Sequence, residues 1–563
     1  MRREVSVVNK KVCSFPILFA LLTLLIGTCA VVFPASAQAA PSATGSITVT
    51  GTVAHSYDAY QIFSANVVDG DSDAKIATDL AWASDDARDA ALPVLHSAGM
   101  PNSQTTAQEA AEWLNTDSHL TSALSAQLAR SLQSSGTVSV ALNAGTEAKL
   151  PCGYWPIVAD DDAIAQGEVG TAPIMALVGG SAVTVKPKAS TPKVSKHVLE
   201  DSTAAWQKAA DATVADDLYW RLSATVPAGL TAYDTYTVRF VDTMSAGLDP
   251  SKVAASMHVY VAAGADGGFD AVSAGKDGRA GTEPAKGWTD ITAQCATKVA
   301  ADGKTFTVRT GDLIAALGGA DAFTAGARVV AVYNAPLNSA CNHGIAKGNP
   351  NEVYLRYPRS PFADQSGDVG FTCTPSDDAT AYTWDLALTK RGSDGDKPLA
   401  GAVLSIADDR GRTLAADGTW DAEGKATVTT GEDGRVTVSG VDSGKLEVRE
   451  LRAPKGYTAF EGTRCVTVKA EGLDVDQVAA AKPKLTVTAE SPLRADSADG
   501  STGSLEASLI NTPTGTPPSI TTGGFMPSTG DMAMYAAAAA AVAGAALIVV
   551  ALLVKRGGGS HKE

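Results

Sequence analysis

The stretch Trp384-Asp385-Leu386-Ala387-Leu388-Thr389-Lys390 decides the fold, because its alternation of apolar and other residues ends on a charge. Side chains of a β-strand point alternately to opposite faces, so Leu386, Leu388 and Lys390 share one face. The same phase recurs downstream: Leu446, Val448 and Glu450 share a face, and so do Leu505, Ala507, Leu509 and Asn511. Three apolar strand faces thus each carry one polar residue, an amine, an acid and a carboxamide. Burying any of them without a partner is costly. Two readings are open. Each residue caps its strand at the solvent edge, or the three meet and react. Desolvation lowers a lysine pKa and raises a glutamate pKa, leaving a neutral amine beside a protonated acid. Such an amine attacks the asparagine side-chain carbonyl while the acid shuttles protons; ammonia leaves and a Lys390–Asn511 amide remains.

Outward from this stretch, residues 383–513 read as one domain of short strands at Trp384–Lys390, Ala402–Ala407, Ala426–Thr429, Arg435–Val438, Lys445–Glu450, Cys465–Ala470, Leu485–Ala489 and Leu505–Asn511. Residues 191–382 repeat the pattern. Strands are expected at Val194–Val198, Leu218–Val226, Tyr236–Asp242, His258–Ala262, Thr305–Arg309, Arg328–Tyr333 and Val353–Tyr357, with a short helix at Gly311–Leu317. Alternation punctuated by glycine and aspartate turns indicates a β-sandwich. Here too polar residues fall in phase with apolar ones. Val194, Lys196 and Val198 share a face, as do Tyr236, Val238, Phe240 and Asp242, and Asn351, Val353, Leu355 and Tyr357. Residues 40–190 mix strands at 46–53, Val138–Leu142, Tyr154–Val158, Ile174–Val178 and Ala182–Val185 with an Ala-rich helical stretch from Ala74 to Ser134, broken at Gly99–Pro101. The fold class is therefore mainly β: tandem immunoglobulin-like β-sandwich domains behind an N-terminal domain that mixes strands and helices.

The two ends read as targeting segments. Residues 1–39 place Arg2, Arg3, Lys10 and Lys11 before an apolar run from Phe15 to Phe33 and two small-x-small sites, the pattern of a secretory signal peptide; an uncleaved anchor is the other reading. At the far end, residues 514–525 form a Thr/Pro/Gly stalk, 532–554 an apolar segment of membrane-spanning length, and 555–563 a tail opening with Lys555 and Arg556, which fits the cytoplasmic side. The 563 residues carry a net charge of −16 and no basic stripe, which excludes nucleic acid as a natural partner. Five cysteines lie beyond the signal, Cys152, Cys295, Cys341, Cys373 and Cys465; their odd number and wide spacing give neither a disulfide framework nor a zinc pattern, although Cys295 and Cys341 are candidates to pair. Asp69-Gly-Asp-Ser-Asp73 starts like a calcium loop but lacks the sixth-position glycine and twelfth-position glutamate, so it reads as an acidic turn. No metal, cofactor or enzyme motif is expected.

Several motifs resemble one family, the sortase-assembled backbone pilins of Gram-positive surfaces. Met526-Pro527-Ser528-Thr529-Gly530, placed before the apolar segment and basic tail, resembles an LPxTG sorting signal with Met526 for the usual leucine. Trp384–Lys390 followed by Pro398-Leu-Ala-Gly-Ala402 resembles the first strands of Cna protein B-type domains, and Leu446–Tyr457 resembles their E-box, YxLxETxAPxGY, with Gly444 and Leu451 replacing its tyrosine and threonine. That resemblance implies a Lys390–Asn511 isopeptide bond with Glu450 as catalyst. Tyr236–Leu248 and Gly348–Leu355 resemble the middle isopeptide-forming domain, which implies Lys196 joined to Asn351 with Asp242 as the acid; Asn349 stays open as the partner. Tyr357-Pro-Arg-Ser-Pro361 stands where the family often has Tyr-Ser-Asn-Asn-Pro. Val183-Thr-Val-Lys-Pro-Lys188 resembles the pilin motif that ends VxVYPK, with Lys186 for the tyrosine. It implies that Lys188 of one subunit is joined by a sortase to Thr529 of the next; Lys186 and Lys193 are the other lysines open for this role. The implied partners are a sortase, identical subunits, minor pilins, cell-wall peptidoglycan and a host receptor. The implied location is a wall-anchored surface pilus, and the chain would be a substrate rather than an enzyme. The alternative is a wall-anchored adhesin or ancillary pilin that binds a host ligand.

Overall fold

In the computed structural model, the described residues are 43–515, apart from 52–53, 72–73, 117, 188–190, 229, 266–269 and 276. The signal segment, Lys188, the sorting motif Met526–Gly530 and the apolar segment 532–554 lie outside the described residues. Among the described residues, no helix is long and apolar enough to cross a membrane.

The strands gather into three successive bodies, and the mainly β class holds. In the first, a three-stranded sheet orders Glu147–Pro151, Thr44–Val49 and Val183–Val185. A second sheet orders Lys75–Trp82, Phe63–Asp69, Gly153–Ala159, Ser56–Tyr60 and Ser139–Asn143, with Ile174–Val178 beside Gly153–Ala159. Three helices, Asp85–Ser97, Ala107–Asn115 and Ser122–Ser134, bury their alanine and leucine faces against this sheet. Their starts are set by side-chain caps from Ser84, Thr106 and Thr121, with a reciprocal Thr106–Glu109 capping box. The helical stretch expected from Ala74 begins only at Asp85. Lys75–Trp82 is instead a strand paired to Phe63–Asp69 across a bulge; the cross-strand ladder outweighs the local helical composition.

The second body packs two sheets face to face. One orders Ala205–Gln207, Val194–Glu200, Tyr219–Thr225, Arg328–Asn334, His258–Ala262 and Thr289–Asp290. The other orders Ala209–Asp211, Asp377–Tyr382, Asn349–Pro358, Arg239–Met244, Thr305–Arg309 and Ala296–Val299, with Phe371–Cys373 also on Asn349–Pro358. The expected Tyr236–Asp242 strand is shifted to Arg239–Met244, although Tyr236 and Val238 remain in the core. The expected helix at 311–317 is a single turn, Leu313–Ala316, capped by Asp312.

In the third body, Trp384–Gly392 lies between Arg435–Val441 and Ser504–Pro513, with Leu493–Asp499 and Tyr457–Thr458 also on the last strand. The facing sheet is built on Val403–Ala407, Gly444–Arg452, Thr463–Glu471 and Lys484–Ala489. All five of these cysteines are free, so Cys295 and Cys341, the candidates to pair, are not joined. Cys295 Sγ donates instead to the Ile291 carbonyl at 3.3 Å, and Cys341 Sγ sits 3.6 Å from His343 Nε2. Asp69 accepts from the Ser181 amide and hydroxyl and from Lys75 Nζ, which makes its loop a tie between strands.

Candidate functional site: two buried amine, acid and carboxamide sets

The third body brings Lys390, Glu450 and Asn511 together. The parallel pairing of its first and last strands sets Lys390 opposite Leu509 and Gly392 opposite Asn511, so the lysine and the asparagine project inward two positions apart. Glu450 enters from the facing sheet, opposite Leu404. Lys390 is wholly buried and Asn511 nearly so. Asn511 Nδ2 donates to both carboxylate oxygens of Glu450, at 2.8 and 3.0 Å, and the Phe460 amide donates to Oε2 at 3.1 Å. Lys390 Nζ donates to the Leu509 carbonyl at 3.1 Å and lies 3.9 Å from Glu450 Oε1. Burial in this apolar setting pulls the lysine down to about 8, against the opposing pull of Glu450. Asn511 Oδ1 has no hydrogen-bond partner among the described residues.

The second body repeats the chemistry with a different arrangement. Asp242 and Asn351 stand on neighbouring antiparallel strands, with Asp242 opposite Val353 and Met244 opposite Asn351. Lys196 comes from the facing sheet, between Val194 and Val198 on its strand. All three residues are fully buried. Lys196 Nζ donates to Asp242 Oδ2 and, at 2.9 Å, to the Tyr333 hydroxyl. Tyr333 donates to Asp242 Oδ2 at 3.1 Å and accepts from Asn351 Nδ2 at 2.8 Å. The rings of Trp220 and Tyr333 each lie 5.4 Å from the lysine nitrogen. Burial lowers Lys196 to about 8 although Asp242 opposes it, and burial likewise raises Asp242 above the ordinary aspartate value despite the amine. Among the described residues, Asp242 Oδ1 and Asn351 Oδ1 are left without hydrogen-bond partners. A buried carbonyl oxygen that nothing satisfies is expensive in a finished structure; here it belongs in both bodies to the carboxamide that an amine would attack.

The alternative asparagine is otherwise engaged. Asn349 Oδ1 accepts from the Asn342 amide at 2.8 Å, while its Nδ2 donates to the Asn342 and Ala381 carbonyls at 2.8 and 3.2 Å. It ties a loop to the sheet, and among the described residues no hydrogen bond joins it to Lys196. Tyr333 was not singled out by sequence, although the signal was there. Val329, Ala331 and Tyr333 alternate into the core, and the hydroxyl at the end of that face is the one polar group on it. Of the other sequence-expected residues, Lys186 follows the Val183–Val185 edge strand and Lys193 is exposed beyond it, while Lys188 and Met526–Gly530 lie outside the described residues.

Fold and site together define a class: a multidomain β-sandwich protein with two cores that each bury an amine, an acid and a carboxamide side by side. Residues 385–482 match the family model described as SpaA, a prealbumin-like fold domain. Over 143 residues the chain is 29% identical to the trypsin-resistant surface T6 protein of Streptococcus pyogenes serotype M6, a match that covers 24% of each, so the chain spans about a quarter of that relative's length. Among solved structures it is similar to the T6 backbone pilin of serotype M6 Streptococcus pyogenes, with a TM-score of 0.45 and 17% identity over 85% of this chain and 100% of that one. It is also similar to the full-length major pilin SpaD of Corynebacterium diphtheriae, with a TM-score of 0.39 and 15% identity over 84% of this chain and 98% of that one.

Proposed function

We propose that this chain is the structural backbone subunit of a covalently polymerised cell-surface pilus, cross-linked internally by Lys390–Asn511 and Lys196–Asn351 amides. The observation that carries the reading is the convergence of Lys390, Glu450 and Asn511, the first two of which lie in the stretch 385–482 that matches the SpaA domain. In each set the buried amine is lowered toward neutrality and stands beside an acid that also reaches the carboxamide, directly or through a hydroxyl. Nucleophilic attack with proton transfer then needs no external enzyme. Domain limits at about 190 and 383 place one set in each of two successive domains. Glu450 and Asp242 are the catalytic acids.

Joining of subunits is assigned to a sortase that cleaves between Thr529 and Gly530 and passes the threonine to Lys188 of the next copy. Discarding Gly530–Glu563 removes the membrane-anchoring segment, so most copies are bonded to another subunit and the last to the wall. The 29% identical relative is a surface protein, which supports the location.

Mass spectrometry of the purified ectodomain tests the internal bonds: each removes one ammonia, about 17 Da, a value fixed by the proposed chemistry. Co-expression with the cognate sortase tests polymerisation. Lys188→Ala abolishes the high-molecular-weight ladder on this reading. A ladder that persists with Lys186 and Lys193 also replaced overturns this joint, whereas a wild-type chain that forms no ladder favours the adhesin alternative.

A further inference from the structure

The acid reaches the departing nitrogen directly in one set and not in the other. Glu450 touches Asn511 Nδ2 with both oxygens. Asp242 has a side chain one methylene shorter, and among the described residues no hydrogen bond joins it to Asn351. The Tyr333 hydroxyl fills that gap, 3.1 Å from the carboxylate, 2.8 Å from Asn351 Nδ2 and 2.9 Å from Lys196 Nζ. Its ring is held edge-on by Phe306 at 4.9 Å between centroids, in a site closed to water. We propose that Tyr333 is a catalytic residue of the middle domain, a proton relay that carries the acid function of Asp242 to the leaving amide nitrogen of Asn351. The proposal rests on the Lys196–Asn351 cross-link put forward above.

The proton balance is closed. The neutral Lys196 amine attacks Asn351 Cγ, forming the new C–N bond and leaving an oxyanion at Oδ1 and a positive charge on Nζ. Once attack has given Nδ2 a free lone pair, the Tyr333 hydroxyl turns from its resting direction, accepts the proton of protonated Asp242 and passes its own to Nδ2. The carbonyl re-forms, the Cγ–Nδ2 bond breaks and ammonia departs. Nζ then returns a proton to the Asp242 carboxylate, so acid and phenol end as they began. Tyr333 never carries a net charge, which suits a phenol whose ionisation burial opposes strongly. The C-terminal set needs no such residue because the longer acid already contacts the leaving nitrogen.

Tyr333→Phe keeps the ring and removes only the relay. In the full ectodomain the wild type loses two ammonias, about 34 Da in all; the variant is expected to lose the C-terminal one on schedule and the middle one ~100-fold more slowly, the low end of what general acid–base catalysis contributes. Peptide mapping assigns each loss, and near-ultraviolet circular dichroism checks that the domain is folded. A middle-domain bond formed at the wild-type rate in the variant overturns the relay. A wild type with no middle-domain loss overturns the cross-link itself, a separate outcome. Should Tyr333→Phe fail to fold, site-specific 3-fluorotyrosine at 333 keeps the shape and makes the phenol more acidic. The pH–rate profile of bond formation then shifts if the hydroxyl relays protons, and an unchanged profile overturns the proposal.

Discussion

An ammonium group with no water around it is held in place only by what the fold supplies. Lys390 is supplied with one carbonyl at 3.1 Å and a carboxylate at 3.9 Å. That is too little to offset its desolvation, so its pKa falls to about 8. In a chain unable to cross-link, this has a measurable sign. Asn511→Ala leaves the lysine with a lower pKa folded than unfolded, so the unfolded state binds more protons between about pH 8 and 10.5. Stability of the C-terminal domain is then lowest below pH 8 and rises through that window, by on the order of 3 kcal/mol for the shift described. Urea titrations of the variant at pH 7.5 and 10 check this; equal midpoints would refute it. At the same scale, Glu450→Ala removes the acid that contacts the leaving nitrogen. The expected outcome is an ectodomain that retains the C-terminal ammonia, about 17 Da heavier than the variant's own sequence would be with the bond formed. The residues of this site were legible because each broke an otherwise apolar alternation. Tyr333 escaped because a tyrosine on such a face also reads as ordinary core, and only its contacts reveal the hydroxyl's task.

At the scale of elements, the two sets are built from opposite assignments of strands to sheets. In the C-terminal domain the amine and carboxamide share a sheet and the acid faces them; in the middle domain the acid and carboxamide share a sheet and the amine faces them. Strand parity gives which residues point inward but not which strands become neighbours, because pairing is a long-range choice. The same limit explains Lys75–Trp82, whose alanines suggest helix until its partner strand is known. The Lys390–Asn511 bond would tie the first strand of its domain to the last and close a loop of roughly 120 residues. The disulfide entropy model puts that at about 5 kcal/mol. Lys390→Ala, which removes the bond together with the buried amine, is expected to lower the C-terminal domain's calorimetric transition by roughly 10–20 °C, allowing for a domain of this size. A transition within a degree or two of the wild type would show that the bond does not constrain the unfolded chain.

Across the whole molecule, successive bodies are joined by contacts that no periodicity encodes, since they depend on turns meeting turns. Arg130 donates to Asp234 at 2.9 Å and Arg359 to the Asp161 carbonyl at 3.0 Å where the first body meets the second. At the second joint, Asp211 Oδ2 accepts from Trp384 Nε1 at 2.6 Å and from the Ser443 amide at 2.9 Å, while Arg412 pairs with Asp216. Glu200 lies behind Asp211, 2% exposed, and accepts from the Asp211 amide at 3.2 Å. Burial first, and the charge of Asp211 second, push Glu200 up to about 8; Asp201 and Asp442, facing the same cluster, are raised as well. An acid with a higher pKa folded than unfolded holds its proton in the native state between about pH 4.5 and 8, so the joint loses stability as pH rises through that window and changes little above it. Glu200→Gln keeps a neutral, hydrogen-bonding side chain and removes the titration. Thermal melts of the ectodomain at pH 5 and pH 8 should then show a smaller fall in the middle-domain transition for the variant than for the wild type. Parallel falls in the two proteins would mean that Glu200 does not titrate in this window.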